Sequence, residues 1–152
     1  MKKIINNVET LLDESLSGFS KAHSDIVSFN RQPHYIYRNH KSTINKVAII
    51  SGGGSGHEPL HTGLVGKGML DAACPGQIFT SPTPDQMMAA AEKVEQGQGV
   101  LFIVKNYAGD VMNFEIATEM LDCDYATVLV DDDVSLPKDH STGRRGVAGT
   151  LI

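Results

Sequence analysis

An α/β fold with a mostly parallel sheet flanked by helices follows from three observations. Val100-Leu101-Phe102-Ile103-Val104 and Ala126-Thr127-Val128-Leu129-Val130 are continuous apolar runs, the composition of strands covered on both faces. Helical patterns alternate with these runs, which implies parallel strands joined by crossover helices. The run Lys46-Val47-Ala48-Ile49-Ile50 ends in Ser51-Gly52-Gly53-Gly54-Ser55-Gly56-His57-Glu58-Pro59. A strand whose tip becomes nearly bare backbone suits the carboxyl end of an open parallel sheet, where ligands bind.

Taken in order, Ile4, Ile5, Val8, Leu11, Leu12, Leu16 and Phe19 fall at helical spacing and predict an amphipathic helix. Gly18 and the polar stretch Lys21 to Asp25 are expected to end it. His34-Tyr35-Ile36-Tyr37 is a short strand candidate and Val47 to Ile50 a stronger one. Glycine density from Gly52 to Gly76 predicts loops and short turns. Thr83 as N-cap, Pro84 at the first helical position and Gln86 closing a capping box start a helix that runs to about Gln96. Gly97 and Gly99 stop it. A buried strand over Val100–Val104 leads through a polar loop to a helix with Val111, Phe114, Ala117, Thr118 and Leu121 on one side. A third buried strand, 126–130, ends in Asp131-Asp132-Asp133. The segment from Gly143 to Ile152 reads like the start of a new element.

Composition narrows the function classes. The chain has 152 residues, 41% hydrophobic and 20% charged, enough for one domain with a real core. A net charge of −5 argues against nucleic acid as the main partner. No apolar stretch reaches membrane-spanning length, so no membrane partner is expected. Cys74 and Cys123 are too isolated for a disulfide framework or a zinc site, which favours a cytoplasmic location.

The glycine run matches neither familiar phosphate motif. No lysine follows at the P-loop position, and His57 or Pro59 stands where a dinucleotide fingerprint needs glycine or alanine. It is either a tight turn or a site for a small polar molecule. A second strand tip, Lys105-Asn106-Tyr107-Ala108-Gly109-Asp110, follows Val104. Were the two strands close in the sheet, His57, Lys105 and Asp110 would meet, an acid/base pair with a cation. Each has a plainer alternative: Asp110 as the cap of the following helix, Lys105 as a solvated lysine, His57 as a loop histidine. His61 reads as neutral packing or surface. The three aspartates read as a solvated loop rather than a magnesium site, because neighbours on an extended chain point apart. Arg144 and Arg145 have the chemistry to bind phosphate or a partner's carboxylates.

Four segments in fixed order resemble the dihydroxyacetone kinase family: 51–59, Phe79-Thr80-Ser81-Pro82-Thr83-Pro84-Asp85, Val104 to Asp110 with Asn113-Phe114-Glu115, and Thr142-Gly143-Arg144-Arg145-Gly146. The opening Met1-Lys2-Lys3-Ile4-Ile5-Asn6 adds to the likeness. Within the family the sequence is similar to the substrate-binding subunit of the phosphotransferase-system-dependent enzymes. The resemblance implies a kinase acting on dihydroxyacetone, with ADP or ATP and magnesium on a separate nucleotide-binding subunit and no cofactor or metal in this chain. It implies Gly54 and Lys105 as substrate contacts with Ser81 close by, His57 hydrogen-bonded to substrate, and Asp110 as general base. A homodimer is the family's usual state.

In that family a later histidine forms a hemiaminal with the substrate carbonyl. His23, His34, His40, His57, His61 and His140 do not occupy that position. Residues 1–152 are therefore expected to be the N-terminal part of the substrate-binding domain, truncated at the C-terminus and inactive alone, from a two-domain family. A dihydroxyacetone-sensing transcriptional co-activator is the alternative, and a gene product without activity a third. Retention of His57 and Asp110 favours the enzyme.

Overall fold

The computed structural model describes residues 2–39, 44–137, 139–141 and 143–151. Met1, His40, Thr142 and Ile152, which entered the sequence reading, lie outside the described residues. The elements in chain order are α1 (Leu11–Ala22), β1 (Val27–Arg31), β2 (His34–Arg38), β3 (Ala48–Ser55), β4 (Ala72–Ile78), α2 (Pro84–Val94), β5 (Val100–Lys105), α3 (Ala108–Glu119) and β6 (Tyr125–Val130). Short 3-10 turns lie at Thr62–Leu64 and Ala148–Leu151. The sheet order is β1-β2-β4-β3-β5-β6. Strands β4, β3, β5 and β6 run parallel, while β1 and β2 form an antiparallel hairpin at one edge.

Alternation along the strands divides the core between two faces. Ile50, Ala72, Cys74, Phe102 and Val104 pack against Met87, Ala90 and Ala91 of α2 and Phe114 and Ala117 of α3. Leu12 and Leu16 of α1 cover the other face with Val27, Ile36, Val65, Leu70 and Ala73. The Thr83–Gln86 capping box forms. Gln86 does more than cap: its Oε1 accepts from the Thr83 N–H at 2.9 Å, and its Nε2 donates to His34 O at 2.6 Å and Pro75 O at 2.8 Å. One buried amide thus ties the start of α2 to β2 and β4.

Four expectations need correction. Helix α1 begins at Leu11, not near Ile4, and Ile4 and Val8 are exposed. Helical spacing does not hold a helix without a face to bury, and only from Leu12 onward does the core supply one. Gly18 lies inside α1, which continues to Ala22. The stretch from Gly52 to Gly76 is not all loop, since β3 extends through Ser55 and β4 starts at Ala72. Finally, β6 is not a buried strand. It pairs only with β5, and Tyr125 through Leu129 are exposed, leaving Val130 alone buried.

Candidate functional site

Strand neighbours decide where the two tips meet. β3 and β5 are adjacent and parallel, with Gly52 opposite Val104. The segments after Ser55 and after Lys105 therefore leave the sheet side by side. The convergence expected from sequence is met, although the glycines do not form the turn. Ser51 to Ser55 remain strand, and the first positive φ comes at Gly56, at 105°.

What requires glycine inside β3 is close approach. A Cβ on Gly54 would lie 2.7 Å from the Thr80 backbone nitrogen and 2.9 Å from the Phe79 carbonyl carbon. Backbone cannot swing aside as a flexible side chain can. Gly54→Ala is expected to push the 79–81 segment off the strand and to destabilise by about 1–3 kcal/mol, the usual overpacking range. Chemical denaturation checks the loss; a midpoint within error of wild type would mean that the segment yields freely.

The 79–81 segment carries two site groups. Phe79 has φ 52°, costly for an aromatic residue, and stands edge-on to His57 with ring centroids 5.2 Å apart. His57 is exposed at the exit of the glycine run. Two residues on from Phe79, the Ser81 side chain faces the Asp110 carboxylate and favours its charged form. Gly109 lets Ser81 come near, since a Cβ there would lie 2.7 Å from the Ser81 Oγ.

Asp110 is not the cap of α3. Tyr107 holds that position, and Asp110 sits in the first helical turn. There the positive end of the helix favours a carboxylate. Asp110 is 3% exposed, and its Oδ1 has no hydrogen-bond partner among the described residues. Burial raises its pKa above the ordinary carboxyl value, while Ser81, Lys105 and His57 pull the other way. Lys105 is not a solvated lysine either: it is 5% exposed. Burial lowers its pKa, against the opposing pull of Asp110. The pair is electrostatically coupled, each member shifted towards its neutral form by desolvation. A cavity of about 290 Å³ opens beside them, lined by His57, Glu58, Leu60, Lys105, Tyr107 and Gly146 to Ala148.

Sequence reasoning missed how near His61 stands. It is 2% exposed, and neither ring nitrogen has a hydrogen-bond partner among the described residues. A Cβ on Gly53 would meet its Cε1 at 2.6 Å and the Lys105 Cε at 3.4 Å, so imidazole and lysine stem share one glycine. Its place four residues after His57 was visible, but its burial was not.

The aspartate run does not fit a magnesium ion. Both oxygens of Asp132 accept from backbone N–H groups, of Val147 and Gly149, each at 2.7 Å. Asp133 Oδ1 accepts from Ser135. The Asp132 carboxylate thus braces the 147–149 segment, and that of Asp133 its own turn. Among the described residues no three metal-ligating side chains gather. No helix of the described residues is long and apolar enough to cross a membrane.

With this geometry in view, likeness to known proteins becomes specific. Residues 17–152 match the Dak1 domain. The chain belongs to the Dak1 domain family. The dihydroxyacetone-binding subunit DhaK of the PEP-dependent dihydroxyacetone kinase of Escherichia coli is 51% identical over 156 residues, covering 100% of this chain and 44% of the relative. The corresponding subunit of the PTS-dependent kinase of Lactococcus lactis is 47% identical, covering 99% and 46%. This chain thus spans less than half the length of those curated Dak1 relatives. The solved dihydroxyacetone kinase of C. freundii superimposes with a TM-score of 0.90 at 37% identity, over 99% of this chain and 29% of that one. The dihydroxyacetone kinase operon co-activator Dha-DhaQ gives 0.85 at 35%, over 91% and 43%.

Proposed function

We propose that this Dak1 chain carries the dihydroxyacetone-binding site of a dihydroxyacetone (glycerone) kinase, working with a separate nucleotide-bearing subunit. Asp110 carries the reading: a buried carboxylate of raised pKa, with one oxygen unpartnered among the described residues, beside a cation and a histidine. That is how a general base for a hydroxyl is built. Asp110 takes the proton from the accepting hydroxyl as its oxygen bonds to phosphorus. Lys105 offsets the developing negative charge, and Ser81 orients the carboxylate. His57, on an exposed segment steadied by Phe79, hydrogen-bonds the ligand, while Gly54 seats the Phe79–Thr80 backbone that leads to Ser81. A nucleoside triphosphate, held with its magnesium on the partner subunit, would supply the phosphoryl group and leave as the diphosphate when its terminal P–O bond breaks. A homodimer in the cytoplasm completes the proposal, with Cys74 and Cys123 as free thiols.

A small ketone sets a limit on affinity. At the best ligand efficiencies, ~1.5 kcal/mol per heavy atom, dihydroxyacetone with its six heavy atoms would gain at most about 9 kcal/mol, and polar ligands fall short of that. Titration followed by NMR should therefore show weak, saturable, rapidly reversible perturbation of the His57, Lys105 and Asp110 signals. No response at tens of millimolar ketone sinks the proposal. His57→Ala should weaken binding and slow phosphorylation by a supplied nucleotide-bearing partner, each about tenfold, the worth of one good hydrogen bond. Unchanged values in both would return His57 to an ordinary loop residue.

The likeness to the co-activator Dha-DhaQ supports a second reading, a dihydroxyacetone-binding regulator. Such a protein needs the pocket but no base. The Asp110 environment favours the enzyme, and the partner assay separates the two.

A further inference from the structure

The two adjacent arginines are held differently. Arg144 is committed to its own segment: its Nε donates to Leu136 O at 2.9 Å, and its carbonyl accepts from Asn106 Nδ2 at 2.5 Å. Arg145 is held only loosely. Its guanidinium lies over the Tyr107 ring, 5.1 Å from the centroid, and Nη1 donates to Asn106 O at 3.4 Å. Among the described residues it has no carboxylate partner. Of its five N–H donors, most remain for a ligand.

The wall that presents Arg145 is fixed from three sides. Gly146 runs against the base of Lys105, where a Cβ would lie 2.8 Å from the Lys105 Cα. The Asp133 N–H donates to Arg145 O at 3.0 Å. Asp132 clamps the N–H groups of Val147 and Gly149. The result is an arginine stacked on Tyr107, which lines the cavity with His57 and Lys105, and joined directly to Gly146 of the cavity wall. Lys105 Nζ lies 5.4 Å from the centroid of the same Tyr107 ring. Helix α3 begins at Ala108, directly after that tyrosine, and turns its positive end to the same place. Two cations on one aromatic ring repel each other unless an anion joins them. Asp110 balances Lys105, and one Glu58 oxygen accepts from the Gly56 N–H at 3.2 Å; among the described residues neither acid pairs with Arg145.

We propose that Arg145, aligned by Tyr107, recognises the phosphoryl group of a triose phosphate at the mouth of this cavity. The planar fork of arginine matches two oxygens of a phosphate monoester at once, which a lysine does not. Lys105 and the start of α3 complete the cradle. This inference rests on the kinase reading for the triose but not for the anion, so the two are separable.

The test is NMR titration of the protein, following arginine Nε–H and tyrosine ring signals. Three probes are used: dihydroxyacetone phosphate, inorganic phosphate and neutral dihydroxyacetone. Dihydroxyacetone phosphate should shift the Arg145 and Tyr107 signals. Arg145→Gln should weaken it about tenfold or more, the cost of one charge-assisted bidentate contact, while dihydroxyacetone affinity stays within about twofold. Arg145→Lys keeps the charge, loses the fork, and should fall between. An amide spectrum matching wild type verifies that each variant is folded. Equal losses for the ketone and its phosphate would make Arg145 a shaper of the cavity and overturn the proposal. So would a Gln variant that binds the phosphate as wild type does, or a wild-type protein that binds neither anion. Should the neutral ketone fail to bind while both anions still need Arg145, the ketone reading falls and the anion site stands.

Discussion

Asp110→Asn is expected to cut phosphorylation of dihydroxyacetone by at least ~10²-fold while leaving ketone affinity nearly unchanged. The amide is isosteric and still faces Ser81, so the packing of the first turn of α3 survives. What it cannot do is take a proton. Loss of the carboxylate also leaves Lys105 buried without its nearest opposing charge, which lowers the lysine further. Both effects fall on the step in which charge develops. The pH profile carries the same signature: burial raises the Asp110 carboxyl, so wild-type turnover should fall on acidification at a pH above the usual carboxylate range. Near-normal turnover in the variant, with a nucleotide-bearing partner supplied, would reduce Asp110 to a helix-end charge.

How far these features were legible in the sequence depended on whether the physical signal was local. The start of α2 was, because Thr83, Pro84 and Gln86 act within one turn. The buried strand β5 was as well, since Val100 to Val104 are apolar throughout. By contrast β4, Ala72–Ile78, carries Pro75 and Gly76 and no β-branched residue before Ile78. A proline argues against an inner strand, yet here the Pro75 carbonyl is taken by the Gln86 side chain, from a helix still to come in the chain. The exposed state of β6 was equally hidden, because an apolar run does not state how many layers cover it. At the site, the sequence suggested that His57, Lys105 and Asp110 stand near one another, but not the packing that holds them there. Gly54 reads as a turn former but is needed for the approach of Phe79 and Thr80. Asp110 reads as a cap, yet that place belongs to Tyr107. Lys105 reads as a surface lysine because Gly53, His61 and Gly146, which pack around it, lie far from it in sequence.

His61 shows the same lesson in its energetics, and it yields a stability effect larger than any single surface group. Burial, reinforced by Lys105 and His57, pushes its pKa down to about 3. In the unfolded chain an imidazole titrates near ~6.5. Because the folded state holds the ring neutral, protons bind the unfolded chain more readily through this interval. Its contribution is thus fully present above about pH 6.5 and is lost steadily as the pH falls towards 3. At 1.36 kcal/mol per unit the whole interval is worth about 5 kcal/mol, comparable with the net stability of a small domain. Glu95 and Asp132, whose carboxyls backbone N–H groups hold low, act only below the ordinary carboxyl range, while Asp110, raised by burial, works against the imidazole as the pH falls, so the slope between about pH 4.5 and 6.5 is the His61 loss less the Asp110 gain. Urea midpoints measured across that window should drop with each step, and His61→Gln, which does not titrate, should flatten the slope. Imidazole nitrogen shifts give a second check that needs no variant: the His61 ring should still be neutral at pH 5. A ring protonated there in the folded protein would mean that Lys105 and its surroundings tolerate a second buried cation, and the acid sensitivity would have to come from elsewhere.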